Sequence, residues 1–413
     1  QESLWIEDGI ICEKQAFSAN QADRVIDAAG GWVVPGLIDL HVHFRDPGLE
    51  YKETIETGCL AAAHGGYTTV CPMPNTKPST DCPEVVKEVL DKASAACGVH
   101  VLPVGAVTVG QKGEQPTDVA ALKAAGIVAI SEDGKSVMNA QLYREAMEKA
   151  AKLGIVVLAH CEDKNLVNGG VMNEDEHARE LGLKGITNSV EDIIVARDIM
   201  LSHDTGAKLH LCHCSTEDSV MMVDLAKQKN VKVTAEVCPH HFTLTSDDIR
   251  KIAPEMDVEK NVIAADADAD TNFKMNPPLR SSEDRAALIA GLQDGTIDMI
   301  ATDHAPHSAE EKSKGLEKSL MGVVGLETAF PVLYTELVKK NVITLEKLVD
   351  LMSYSPRRRF GIGGDTGFTV FDLEAKYTVD PNTFKTKGRA TPFAGREVFG
   401  ECVLTVYGGQ GII

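Results

Sequence analysis

Two histidines separated by one residue, His41 and His43, end an apolar segment with the letters DLHVH. Side chains at positions i and i+2 of a strand point to the same side, so both imidazoles can bind one metal ion. Such a pair is only moderately specific, because core packing also places histidines in strands. His160 and His213 end two later apolar runs, and Asp303 ends another within ATDHAPH. Four imidazoles and a carboxylate at run ends together predict a metal centre.

The donor atoms of this set restrict the kind of metal. Imidazole nitrogens with carboxylate oxygens suit Zn²⁺ and similar borderline ions, whereas Mg²⁺ and Ca²⁺ prefer sites built from oxygen atoms. A bound divalent ion lowers the pKa of a water molecule and polarises a carbonyl group. The set therefore predicts a hydrolase and leaves the identity of the ion open.

Short β-rich apolar runs alternate with helical patterns from residue 36 onward, which is typical of βα units around a parallel sheet. The predicted strands span residues 36–43, 68–72, 99–107, 127–131, 155–160, 208–214, 231–237 and 298–302. Apolar residues at helical spacing predict helices over 53–64, 83–96, 140–153, 190–203, 217–229 and 283–293. The fold class is α/β, with a closed (β/α)8 TIM-like barrel or an open doubly wound sheet as the two choices.

The candidate ligands all lie at the carboxyl ends of predicted strands. In a barrel these ends share one face, where active sites are built, whereas an open sheet spreads them along an edge. We therefore predict the barrel. Three cysteines, Cys161, Cys212 and Cys214, flank the later ligands. Strand alternation puts them on the opposite side from the neighbouring histidines, so we expect buried wall residues and not ligands.

Both ends of the chain differ in character from the middle. Residues 362–413 carry Gly, Thr, Val and Phe in short alternating runs with little helical pattern, and residues 1–35 have a similar composition. We predict a small β-sandwich domain built from 1–35 and 362–413, beside a barrel over 36–361. Because the chain begins at Gln1 inside a strand-like segment, we expect a further strand to precede it.

The overall composition excludes several classes of protein. The 413 residues are 43% hydrophobic and 25% charged, which is ordinary for a globular protein. A net charge of −20, from 41 basic and 61 acidic residues, argues against nucleic-acid binding. No apolar run reaches the length of a membrane helix, and the first residues lack the basic and apolar segments typical of a signal peptide, so we expect a soluble protein. The 10 scattered cysteines indicate reduced thiols, so we expect a cytoplasmic location.

Four longer motifs narrow the interpretation: HVHFRDPG from His41, MPNT from Met73, KMNPPLR from Lys274 and DHAPH from Asp303. Together they resemble bacterial dihydroorotases of the long (class I) type, which belong to the amidohydrolase superfamily. The resemblance covers nearly the whole chain. It implies reversible hydrolysis of the cyclic amide of (S)-dihydroorotate to N-carbamoyl-L-aspartate in pyrimidine biosynthesis. It also implies a metal-bound hydroxide as nucleophile and Asp303 as general base and then general acid.

The resemblance implies two zinc ions bridged by a carboxylate. Many relatives bridge with a carbamylated lysine, but here the fourth predicted strand runs on into Glu132, Asp133, Gly134 and Lys135. We expect Asp133 to be the bridge, since Glu132 alternates away and Lys135 lies past the glycine turn; carbamylated Lys135 is the alternative. The implied metal ligands are His41, His43, Asp133, His160, His213 and Asp303.

Substrate contacts are implied at the same face. Arg45 lies two residues past His43, on the same side by strand alternation, and its planar guanidinium suits the carboxylate of dihydroorotate. The polar segment 307–322 after the last strand is expected to act as a lid. The implied substrate-binding residues are His43, Arg45, Asn75, Asn276, His307, Met321 and Gly322.

Other functions stay open on the sequence alone. An allantoinase or a hydantoinase (dihydropyrimidinase) would share the HVHF motif, but allantoinases typically carry asparagine at position 45. A non-catalytic scaffold for aspartate transcarbamoylase would be expected to have lost ligands, whereas all six are present here. We expect a homodimer and leave an association with aspartate transcarbamoylase open.

Overall fold

The computed structural model of the chain describes residues 5–7, 10–12, 25–28, 30–96, 98–250, 256–257, 262–263, 270–363, 367–408 and 410–413. Parallel strands in the predicted order form the barrel, and each pairs with its sequence neighbour, the third being split in two. The barrel strands are Leu37–Val42, Tyr67–Pro72, His100–Val101 with Val104–Ala106, Ala129–Ser131, Val156–Ala159, Lys208–Leu211, Val233–Val237 and Met299–Ile300.

The barrel closes where the end of the eighth strand meets the first strand. Val42 and His304 form a parallel bridge, and the His43 amide donates to the His304 carbonyl at 2.8 Å. Beneath this bridge, the buried Asp39 carboxylate accepts from the Thr302 amide at 3.2 Å. The closure therefore brings the ends of the first and eighth strands side by side.

Helices cover the outside of the barrel and largely follow the predicted pattern. Thr54 caps the first helix with a reciprocal hydrogen-bond pair to Thr57, and Asn139 caps the fourth through its side-chain oxygen. The sequence pattern missed the short third helix and the helices after the eighth strand. The helices between the barrel strands are Ile55–His64, Pro83–Ala95, Val119–Ala125, Ala140–Leu153, Ser189–Thr205, Glu217–Gln228 and Ser282–Asp294. The helices after the eighth strand are Ala329–Leu333, Leu345–Val349 and Ser355–Phe360, with π-helical turns at Tyr334–Val338 and Asp350–Tyr354.

Within the described residues, no helix combines the length and apolar character needed to cross a membrane.

Short helices and strand pairs lie in the loops between the longer helices and strands. The short helices are Lys164–Val167, Glu176–Leu181, Pro239–Thr243, Ala309–Lys312 and Gly315–Lys318, and the short strand pairs are Met172–Asn173 with Gly185–Ile186 and Met256–Asp257 with Val262–Ile263.

A four-stranded antiparallel sheet joins both ends of the chain beside the barrel. Trp32–Pro35 pairs with Phe368–Thr378, which pairs with Glu397–Tyr407, and Gln410–Gly411 completes the sheet. Trp5–Glu7 and Ile10–Cys12 form a separate hairpin. The predicted fold class, a barrel with a small β domain from both ends, is confirmed. Residues 1–4, 8–9, 13–24 and 29 of the predicted N-terminal part lie outside the described residues, and the domain limits at 35 and 361 stay predictions.

Two apolar layers stabilise this architecture. Strand residues such as Val104, Leu158 and Met299 fill the barrel interior. A larger layer lies between the strands and helices and continues into the β domain, where Phe371 stacks on Phe330 with ring centroids 3.7 Å apart. Each fully buried large apolar side chain contributes roughly 1.5–3 kcal/mol, so the β domain and the barrel stabilise each other.

A buried carboxylate also ties the β-domain segment to the barrel. Glu53 is fully buried, and its Oε2 lies 3.3 Å from Nε2 of His304, the residue after Asp303. The hydroxyls of Thr57 and Thr386 donate to the same carboxylate. One side chain therefore joins the first helix, the eighth strand end and the C-terminal segment.

We predict that Glu53→Ala lowers the free energy of unfolding by about 3–5 kcal/mol, because it leaves a buried histidine and two hydroxyls without their acceptor. Urea denaturation of the purified variant measures this change. The matched control is Glu56→Ala on the exposed side of the same helix, which should cost less than about 1 kcal/mol. Equal losses for the two variants would contradict the prediction.

Candidate metal centre and active site

The six predicted metal ligands meet at the carboxyl end of the barrel, around the buried Asp133. Its Oδ1 lies 3.1 Å from His41 Nε2, 3.5 Å from His160 Nδ1 and 3.7 Å from His213 Nε2. Its Oδ2 lies 3.3 Å from His43 Nε2. One carboxylate therefore faces all four imidazoles, which come from three different strand ends.

Asp303 completes the set on the side of the first strand. Its Oδ1 lies 3.1 Å from His43 Nε2 and 3.6 Å from His41 Nε2. Lys135, the alternative bridge, points elsewhere, since its Nζ donates to the Gln111 carbonyl at 3.1 Å. The predicted cluster is thus brought together without the lysine.

Three functional candidates have left-handed backbone conformations. The φ angles are 57° at Arg45, 34° at His213 and 50° at Asp303. Non-glycine residues adopt this region at a cost of about 1–3 kcal/mol, and they do so most often at functional sites. Each residue lies two or three positions beyond the last residue of its strand, which is Val42, Leu211 or Ile300. The positive φ therefore re-aims the side chain where regular alternation has ended.

This turn of the backbone explains one wrong prediction. Cys161 and Cys214 lie in the apolar layer between strands and helices, as expected. Cys212 lies in the barrel interior instead. The sixth strand ends at Leu211 and His213 has a positive φ, so alternation cannot be extended from His213 back to Cys212.

The ionisable side chains of the cluster shift one another's pKa values. Burial alone would raise the pKa of Asp133, but the charge on His41 and the nearby rings of His160 and His213 hold it well below its ordinary value. Burial alone would lower the pKa of His160, but the nearby carboxylates of Asp133 and Glu162 raise it to about 10. The site therefore favours additional positive charge.

A divalent cation fits this donor set. His41 Nε2 and Asp133 Oδ1 are both buried, and neither has a hydrogen-bond partner among the described residues. A cation would satisfy both atoms and replace the protons held by the imidazoles. Among the described residues, His41 belongs to three groups of candidate ligand atoms, of which one adds His43 and Asp303 and another adds Asp133 and His213.

Two further groups of candidate ligands lie close by. The first combines His41 with Cys212 and Glu236. The second combines Cys238 with His240 and His241, which lie in the short helix Pro239–Thr243 after the seventh strand. Burial lowers the pKa of His240 in this pair to about 4, so its ring is neutral.

The predicted substrate-binding residues border the same cluster. Arg45 is buried, and its Nε donates to the Pro306 carbonyl at 3.3 Å. Asn75 Oδ1 lies 2.8 Å from His43 Nδ1, so this amide orients a predicted metal ligand. Asn276 hydrogen-bonds Glu162, the carboxylate that accepts from His160.

The segment 307–322 folds back over the end of the eighth strand. His307 Nε2 lies 2.9 Å from the Met321 carbonyl. Gly322 has a φ of +140°, and a Cβ there would lie 2.6 Å from the Ala305 carbonyl, so glycine is required. Lys312 Nζ donates to three backbone carbonyls, one of which belongs to Gly322. The last three predicted substrate-binding residues therefore lie together, and the lid role of this segment stays a prediction.

Sequence reasoning missed the carboxylates that contact the metal-ligand histidines. Glu236 Oε1 lies 2.9 Å from His41 Nδ1, and Glu162 Oε2 lies 2.9 Å from His160 Nε2. A signal was present for the first, because Glu236 interrupts the apolar strand Val233–Val237. A charged residue inside a buried strand requires a partner.

Comparisons with known proteins agree with this site. Residues 30–219 match the family model described as Dihydro-orotase-like. The chain is 49% identical to "Dihydroorotase" of Geobacillus kaustophilus, covering 98% of this chain and 92% of the relative, and 47% identical to that of Bacillus thuringiensis, covering 98% and 93%. Among solved structures, L-hydantoinase (dihydropyrimidinase) from Arthrobacter aurescens matches with a TM-score of 0.84 at 26% identity, covering 99% of this chain and 91% of that one.

The structural and the sequence comparisons distinguish a shared fold from membership of one family. The structural likeness to a hydantoinase reflects the shared barrel and β domain, whereas identity of 47–49% over nearly the full length is found with dihydroorotases. The chain belongs to the dihydroorotase family of metal-dependent amidohydrolases.

Proposed function

We propose that this chain reversibly hydrolyses the ring amide of (S)-dihydroorotate to N-carbamoyl-L-aspartate in pyrimidine biosynthesis. The observation that carries the proposal is the buried Arg45 guanidinium beside a six-ligand centre. Its Nε donates to the Pro306 carbonyl at 3.3 Å, which orients the guanidinium plane. A planar fork in this state suits a ring carboxylate, which dihydroorotate has and a simple hydantoin lacks.

The metal ions in this proposal are two Zn²⁺ ions per chain. His41, His43 and Asp303 would hold one, His160 and His213 the other, and Asp133 would bridge them. Nitrogen-rich donors with carboxylates support zinc over Mg²⁺. Bound zinc would lower the pKa of a water molecule and polarise the ring carbonyl. The expected homodimer, cytoplasmic location and transcarbamoylase association stay predictions.

Asp303 moves the proton in the proposed reaction. Burial would raise its pKa, but the hydrogen bond from His43 and the charge on His41 lower it, so the carboxylate starts ionised. It accepts a proton as water adds to the ring carbonyl carbon, and it donates that proton to the ring nitrogen as the carbon–nitrogen bond breaks. Burial and the charges of Arg45 and Lys52 lower the pKa of His307 to about 3. Neutral His307 donates to the Met321 carbonyl and accepts from Lys52, so it adds no charge to the site.

We predict that Asp303→Asn lowers kcat for dihydroorotate about 10²–10⁴-fold, because an amide keeps an oxygen donor but cannot accept the proton. Steady-state assays in both directions measure the loss, and metal analysis of the same sample checks that the ions are retained. Asp91→Asn on an exposed helix face is the control and should behave as wild type. Retained activity in the Asp303 variant would reject its proton-transfer role.

Arg45→Met is expected to raise KM for dihydroorotate about 100-fold, because a hydrogen-bonded charge pair with the substrate carboxylate is lost. Any turnover of dihydrouracil, which lacks the carboxylate, should change little. Arg179→Met on an exposed short helix serves as the control. Equal losses on both substrates would show that Arg45 does not select the carboxylate.

The bridge is tested by comparing Asp133→Ala with Lys135→Ala. We predict that wild-type protein binds two zinc ions per chain by elemental analysis and that Asp133→Ala retains at most one with activity below detection. Lys135→Ala should keep both ions and its activity, with no dependence on added bicarbonate. The reverse pattern would assign the bridge to a carbamylated Lys135.

A further inference from the structure

A chain of buried hydrogen bonds runs beneath the metal centre. His41 Nδ1 lies 2.9 Å from Glu236 Oε1, and Glu236 Oε2 lies 2.9 Å from His210 Nε2. His210 Nδ1 lies 2.9 Å from the Thr234 hydroxyl. The side chains of His41, His210 and Glu236 are fully buried. These contacts cross three strands, since His41 lies on the first barrel strand, His210 on the sixth and Glu236 on the seventh.

The carboxylate fixes which nitrogen of each ring carries hydrogen. A carboxylate only accepts hydrogen bonds, so His41 must donate from Nδ1 and His210 from Nε2. In the neutral ring, Nε2 of His41 then presents its lone pair, and it is this atom that lies 3.1 Å from Asp133. The second ring nitrogen of His210, Nδ1, is paired with the Thr234 hydroxyl. The hydrogen bond to Glu236 therefore determines which nitrogen of His41 faces the candidate metal site.

We propose that Glu236 is a positioning residue for the metal centre, which holds His41 in its ligating tautomer and is itself held by His210. The inference rests on the proposed role of His41 as a metal ligand. Outer carboxylate partners of ligating histidines orient the ring and increase its basicity, and their loss typically weakens metal binding about 10–100-fold. Glu236 thus acts on the metal through His41 and touches neither substrate nor reacting atoms.

The same residues also form a group of candidate ion ligands. The ligand atoms of His41, Cys212 and Glu236 lie within 4.8 Å of one another, close enough to hold an additional ion. Both Glu236 oxygens, however, are already within 2.9 Å of imidazole nitrogens. This geometry favours the hydrogen-bonded role over direct ligation.

The experiment measures zinc content and zinc affinity by chelator competition, for the full chain and for Glu236→Gln, His210→Gln and the double variant. We expect Glu236→Gln to weaken zinc binding about 10–100-fold and His210→Gln to weaken it less. The double variant should match Glu236→Gln, because His210 acts through Glu236. Cobalt-substituted protein should show an altered visible spectrum in Glu236→Gln, a change that a loss of stability alone would not produce.

Controls separate the possible outcomes. Glu145→Gln on an exposed helix face and Cys212→Ser should both keep wild-type zinc content and affinity. Unchanged affinity in Glu236→Gln, or losses that add in the double variant, would overturn the proposal. Loss of one ion in both Glu236→Gln and Cys212→Ser would make Glu236 a ligand instead. If Glu236→Gln fails to fold, wild-type affinity in a folded His210→Gln would overturn it equally. Wild-type protein that binds no zinc would refute the proposed function itself.

Discussion

The concentration of charge around Asp133 is the constraint on which the rest of the site depends. Two carboxylates and four imidazoles converge at the barrel mouth, and burial of a charge is costly unless partners compensate it. The protein supplies those partners in layers: the imidazoles face Asp133, and further carboxylates, Glu236 and Glu162, accept from the far side of His41 and His160. A metal cation at the centre would compensate the negative charges of Asp133 and Asp303.

Closure of the barrel fixes the positions of these charged side chains relative to one another. The first and eighth strands join through the His43 amide and the side chain of Asp39, and Glu53 fixes His304 next to Asp303 from outside. The ligands from these strands therefore cannot move apart without opening the barrel. The cost of positive φ at Asp303 is small compared with the packing and hydrogen bonds that impose it.

The sequence was sufficient for the elements whose signal is local. Apolar runs located the barrel strands, and the residues at their ends identified five of the six candidate ligands, whereas Asp133 as the bridge came from the family resemblance. Alternation failed at Cys212 because strand geometry ends before His213. Glu236 was missed for a different reason: its partners, His41 and His210, lie 195 and 26 residues away in the chain. Periodicity carries no information on such pairs, since they exist only once the barrel closes.

The acidic net charge of −20 and an anionic substrate are compatible because the field at the mouth is local. Arg45, Lys52 and Lys312 all lie close enough to His307 to lower its pKa together with burial. Of these cations, Lys52 has a nearby anionic partner in Glu311, at 2.9 Å. Charges on the remote surface are screened over about 8–10 Å in physiological salt, whereas charges lining a buried cleft act at short range with little screening. Arg45 and Lys52 therefore supply positive charge close to where an anionic ring would bind, and the neutral His307 that they enforce is held between the Met321 carbonyl and the Lys52 ammonium.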